Sequence, residues 1–189
     1  MESRGWFNVM RDAFYDALCA VFEVDPDLQS SLDRFIPAYV EGISTPEEDG
    51  NVNVCYYAIS VEQGTTEDYV MVENQEDKVI VKKTIPVNVL VTFYGPNADN
   101  DSELFWSRIQ VDAGYGSARQ ILRSNKVVLR GTPDRPISLP EEEGSLWRRR
   151  CDVRVHLSYL DTDTINARTV EVAPDINITL AGIAAGKEN

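Results

Sequence analysis

Histidine occurs once in this chain, at position 156, and cysteine three times, at positions 19, 55 and 151. Proton transfer and nucleophilic attack both need titratable groups brought together, so this inventory leaves few catalytic constellations open. The cysteines are widely spaced and odd in number, with no CxxC to make a zinc site or a redox pair. They read as small buried hydrophobes in a reducing compartment. No apolar run approaches the roughly 18–20 residues that span a bilayer, and Met1-Glu2-Ser3-Arg4-Gly5-Trp6 lacks a basic start followed by an apolar core. The expectation is a protein made in a cytosol and without a membrane partner. Cations are scarce too: 18 Lys and Arg stand against 31 Asp and Glu, a net charge of −13. That balance disfavours binding of DNA or an anionic membrane by the outer surface as a whole. Internal repeats and low-complexity segments are missing.

What remains is ordinary globular material. With 43% hydrophobic and 26% charged residues in 189 positions, one domain over 1–189 is expected, its core at about 5–180 and 181–189 a frayed tail. Residues 5–23 carry Phe7, Met10, Phe14, Ala17, Leu18 and Val21 at helical spacing, a core stripe that Asp25-Pro26 ends. Residues 33–44 read as a turn into a short strand kept near a sheet edge by Pro37, and 45–51 as a solvated turn. Strands are expected over Val52–Val61, Asp68–Glu73 and Lys78–Phe93, the last with Val87, Val89, Val91 and Phe93 alternating inward and Pro86 marking a bulge or edge segment. Helices follow over Ser102–Asp112 and Gly116–Ser124. Then come a short strand over Lys126–Arg130, a proline-rich loop, and strands over Leu146–Leu160 and Arg168–Leu180. This order predicts an α+β fold: a mainly antiparallel mixed sheet, helices packed on one face, and a long β-hairpin extension over about 52–85.

The candidate chemistry is thin. His156 sits in a period-two segment, with Cys151, Val153, Val155, Leu157 and Tyr159 on one face and Asp152, Arg154, His156 and Ser158 on the other. No GxSxG accompanies it, and a surface or interface histidine is the stronger reading. Asp99, Asp101 and Glu103 alternate as in a calcium loop, but Leu104 stands where glycine is required and Gln110 where glutamate is. Asp99 to Ser102 read instead as a helix cap with acidic residues facing the helix dipole, each worth roughly 0.5–1 kcal/mol. Gly114-Tyr115-Gly116 lacks the third glycine of a dinucleotide loop, and Glu141-Glu142-Glu143 reads as a solvated run. Catalytic, cofactor and metal residues are therefore expected to be none.

Two features stand out. The corner Phe93-Tyr94-Gly95-Pro96-Asn97 turns a strand abruptly into a helix. In an acidic chain, Arg148, Arg149, Arg150 and Arg154 gather around Asp152 and His156, side chains suited to pairing with carboxylates across a subunit or partner interface, or to phosphate.

The runs "VNVLVTFYGPNA", "ILRSNKVVLRG", "LPEEEGSLWRRRCDVRVHLSY" and "EVAPDINITL" together resemble the neck or tail terminator family of tailed bacteriophages. The likeness covers about residues 35–180 and is strongest from Val87 to Leu157; "DNDSE" and "TPEEDGN" have no counterpart in it. The resemblance implies a structural virion protein of the neck, at the head-proximal end of the tail, assembled in the host cytoplasm. Six copies would form a ring that ends tail-tube polymerisation and docks the tail to head-completion proteins. Its partners would be itself, the tube protein and the head-side stopper, with DNA passing through the channel without specific binding. The alternatives are another head–tail connector or tube-hub ring protein and, from a different class, a small hydrolase using His156 or an acidic pair.

Overall fold

The computed structural model describes residues 5–38, 52–62, 70–75, 78–114, 116–143 and 146–166. The expected strand at 168–180, the tail at 181–189 and the 45–51 turn lie outside the described residues.

Helix α1 (Trp6–Phe22) buries Met10, Ala13, Phe14, Ala17, Leu18 and Val21 along one stripe. Phe7 lies off that stripe and is 45% exposed. The helix ends before Asp25-Pro26: Glu23 turns left-handed at φ 56°, and Val24 N–H donates to the Cys19 carbonyl oxygen. A six-residue helix, α2 (Gln29–Arg34), then leads into β1 (Phe35–Pro37), which pairs in parallel with β2 (Val54–Val61) at one edge of the sheet. Pro37 therefore sits at an edge, as its missing N–H requires.

Next come β3 (Val70–Gln75) and β4 (Lys78–Tyr94), one unbroken 17-residue strand. Across the corner lie α3 (Ala98–Ile109) and α4 (Ala118–Ser124), followed by β5 (Val127–Leu129), β6 (Ile137–Ser138), β7 (Glu141–Glu143), β8 (Leu146–Arg148) and β9 (Arg150–Asn166). The main sheet runs β1-β2-β4-β9-β5, with β3 beside β4 and β6 beside β9, while β7 and β8 form a separate hairpin. All its pairings except β1 with β2 are antiparallel.

The extension is built differently from a two-stranded hairpin over 52–85. β2 pairs with the near half of β4, from Val54↔Tyr94 to Val61↔Val87, and β3 pairs with its far half, from Val70↔Lys83 to Gln75↔Lys78. β9 lines the other side of β4 throughout, so the arm beyond Tyr159 has three strands. Pro86 makes no bulge, because the β4–β9 register is continuous through it. Its carbonyl oxygen accepts from Glu62 N–H at 3.1 Å, so its nitrogen faces the gap between β3 and β2, where no donor is needed.

The helices cover one sheet face. Val87, Val89, Val91 and Phe93 of β4 and Val153, Val155 and Leu157 of β9 meet Phe14, Phe105 and Leu122 in one core, each large side chain contributing roughly 1.5–3 kcal/mol by burial. Several boundaries differ from expectation, among them the end of β9, which runs on to Asn166. α3 starts at Ala98, four residues early, and its N-cap Asn97 makes no side-chain cap bond; the capping assigned to Asp99–Ser102 is not made, since these residues are already inside the helix, while Asp99 and Asp101 do stand in the first turn, where acids complement the helix dipole. The Leu146–Leu160 strand is interrupted at Arg149. Glu141–Glu143, read as loop, pairs with Leu146–Arg148.

Candidate assembly surface

The corner works by close backbone approach. Gly95 has φ 106°, and a Cβ there would lie 2.5 Å from the Val52 carbonyl oxygen and 2.8 Å from Asn53 Oδ1. Asn53 Oδ1 also accepts from Asn97 N–H at 2.9 Å, fixing the start of α3 against the beginning of β2. Phe93 is buried in the core, Pro96 and Asn97 are exposed, and Tyr94 turns to the sheet face away from the helices.

There Tyr94 meets the arginine segment, since Tyr94 and Arg150 are cross-strand partners. Arg150 grips Asp152 with two bonds, Nε to Oδ1 at 3.0 Å and Nη2 to Oδ2 at 2.9 Å. Its Nη1 lies 3.5 Å from Glu141 Oε2, which accepts from the Tyr94 hydroxyl at 2.9 Å. The guanidinium carbon stands 6.0 Å from the Tyr94 ring centre, and Tyr56 packs edge-on against that ring at 5.8 Å. Burial, reinforced by the hydrogen bond to Glu141, pushes the Tyr94 phenol up to about 12. The bond to Asp152 raises the Arg150 pKa further, so the guanidinium stays charged. Two features far apart in sequence thus form one cluster.

Arg150 is consequently occupied by acids of its own chain. Arg149 and Arg154 are exposed and, among the described residues, pair with no carboxylate. Arg148 pairs through its backbone with Glu141. His156 shares the face away from the helices with Arg154, as the period of two requires; its Nδ1 lies 2.7 Å from Asn88 Oδ1, and its Nε2 3.8 Å from Asp134. Asn53, Asn88 and Asp134 were not picked out by sequence, and Glu141 was read only as part of a solvated run, because each acts through a chain reversal or cross-strand register that no local pattern carries. Ser102, buried, lies 3.0 Å from Cys151 Sγ and donates to the Asp99 carbonyl oxygen at 2.8 Å. Among the described residues no three His, Cys, Asp or Glu side chains stand close enough to hold a metal ion.

Among the described residues, side chains lock a corner to a sheet and expose Arg149 and Arg154 beside it, an arrangement suited to work done by surfaces. A family model described as phage neck terminator protein matches residues 8–183, and the chain belongs to that family. It is accordingly a structural protein of the bacteriophage neck. No curated protein matches the chain. No helix among the described residues is long and apolar enough to cross a membrane.

Proposed function

We propose that six copies close into a ring at the head-proximal end of the tail, where the ring stops polymerisation of the tail tube and joins the tail to the head-completion complex. The observation that carries this reading is the three-stranded arm within the family match. Beyond Tyr159, none of the described side chains of β3, of residues 78–84 or of residues 160–166 is buried, and Val72 is 57% exposed. A ribbon that, among the described residues, contributes nothing to its own core and has no strand on its outer edges is suited to contact with a neighbouring subunit or the tube. The net charge of −13 supports a channel through which DNA slides without adhering, since like charges disfavour phosphate contacts. Assembly takes place in the host cytoplasm.

The test is loss of the gene product. Tails of uncontrolled length are expected; normal-length tails left unattached to heads would indicate a joining role without termination, the behaviour of a head–tail connector. Deletion of residues 62–76 should abolish ring formation or tail joining, and a deletion that leaves both intact refutes the role given to the arm.

A further inference from the structure

The two edges of the main sheet are opposites. Beside β1 runs a cleft of about 780 Å³ floored by Phe35, Pro37, Val54 and Tyr57, with the exposed side chains of Leu32 and Val52 on its lip. Asp16 and Asp33 rim it, Arg11 on the same lining is already paired with Asp12 at 3.0 Å, and Asp27 lies on the adjoining turn; among the described residues none of Asp16, Asp27 and Asp33 pairs with a cation. At the far edge, residues 134–139 run along the outer side of β9: Asp134 N–H donates to Arg154 O, Ile137 and Ser138 pair with Asp152 and Cys151, and Leu139 N–H donates to Arg150 O. That ribbon exposes Ile137 at 56% and Leu139 at 43%, flanked by exposed Arg135, Arg149 and Arg154. Its one acid, Asp134, lies 3.8 Å from His156.

From this juxtaposition we infer that the acid-rimmed cleft beside β1 receives the residue 134–139 ribbon of a second copy of the chain, Ile137 and Leu139 entering the cleft and the arginines meeting Asp16, Asp27 and Asp33. The occupant is set by complementarity of two kinds, apolar side chains toward an apolar floor and unpaired cations toward unpaired anions. Among the described residues, one chain does not satisfy both edges itself. Four strand spacings of about 4.8 Å separate β1 from β6, so the two surfaces stand roughly 19 Å apart. A contact between two different patches is head-to-tail, the kind that closes into a ring when the rotation per subunit divides the circle. The inference rests on the ring reading above and names the surfaces that make it.

The experiment is native mass spectrometry of the full chain, with circular dichroism as a check on folding. Asp27→Lys with Asp33→Lys, and separately Arg135→Glu with Arg154→Glu, should each lower the ring population at least tenfold. Combining all four substitutions in one chain should restore it, because each interface again joins opposite charges. Folded double variants that assemble like the parent overturn the inference, as does a folded fourfold variant that stays monomeric. A parent chain that forms no ring even on tube ends overturns the ring reading itself, which separates the two failures. If the charge variants misfold, Leu32→Cys with Ile137→Cys supplies the answer: oxidation should give a ladder of cross-linked multimers, and rings that yield no ladder refute the pairing.

Discussion

Replacing Gly95 with alanine isolates what the corner does. The backbone there has φ 106°, and the added Cβ would stand 2.5 Å from the Val52 carbonyl oxygen and 2.9 Å from Asn53 Cα, both backbone atoms that cannot swing aside. Two costs add. Holding an L-residue in that sparsely populated region costs about 1–3 kcal/mol, and forcing β2 away from the turn costs about 1–3 kcal/mol, as overpacking generally does. The control is Gly131→Ala: φ there is 72° with nothing within 4 Å of a built Cβ, so only the backbone cost remains, about 1–2 kcal/mol. Gly95→Ala should therefore lose roughly 3 kcal/mol or more, about 6–12 °C in Tm for a chain of this size, and clearly exceed the control. Urea denaturation of the two variants beside the parent measures the difference. Equal losses would show that the approach of Val52 and Asn53 costs nothing, and the corner would then be an ordinary turn.

Asp152→Asn breaks a charge-assisted pair whose side chains are only 14% and 28% exposed, and should cost about 1.5–3 kcal/mol in urea denaturation. Arg154→Ala, on an exposed side chain, should stay within about 0.5 kcal/mol while weakening assembly. Because folding raises the Tyr94 phenol from 10.0 to about 12, its contribution is fully present below pH 10 and disappears as pH climbs to about 12. Stability measured across that window should fall less steeply for Tyr94→Phe than for the parent, and identical slopes would remove Tyr94 from the account. Trp106→Phe deletes the indole bond to the Pro133 carbonyl oxygen, 3.0 Å long. It should cost roughly 0.5–1.5 kcal/mol yet lower the ring population, read by native mass spectrometry.

Periodicity made the layers legible. The α1 stripe and the alternation in β4 and β9 name most of the core, and the same alternation placed Arg150, Arg154, Asp152 and His156 on one face, the one away from the helices. The partners of that face were not legible. Tyr94 and Glu141 are 47 residues apart in sequence and meet because β7 and β8 fold back as a hairpin, a tertiary event with no local signal. α2 is too short for a helical period to show, and its surroundings hold it: Ser31 Oγ donates to the Asp25 carbonyl oxygen, and Arg34 pairs with Asp101. The pairing of β2 with β4 past β3 was hidden for a related reason. The two-residue connection from Gln75 to Lys78 puts β3 on the first half of β4, and β2 pairs with the half that buries Val87–Phe93 under the helices, a choice that no local pattern carries.

α3 joins these parts mechanically. At its first turn Asp101 holds Arg34 at 2.9 Å, and that guanidinium stacks 4.5 Å from the Phe22 ring centre and 5.3 Å from that of Phe35, pinning the floor of the cleft beside β1. Further along the same helix, Trp106 holds Pro133 through its indole N–H and carries Arg135 5.5 Å from its ring centre, which steadies the ribbon at the opposite edge. The start of α3 is set in turn by Gly95 and Asn53. A helix that touches both edges and is anchored at the corner fixes the angle between the two surfaces. In a head-to-tail assembly that angle decides whether successive copies close into a ring or run on as a filament, so rigidity at Gly95 bears on closure as much as on stability.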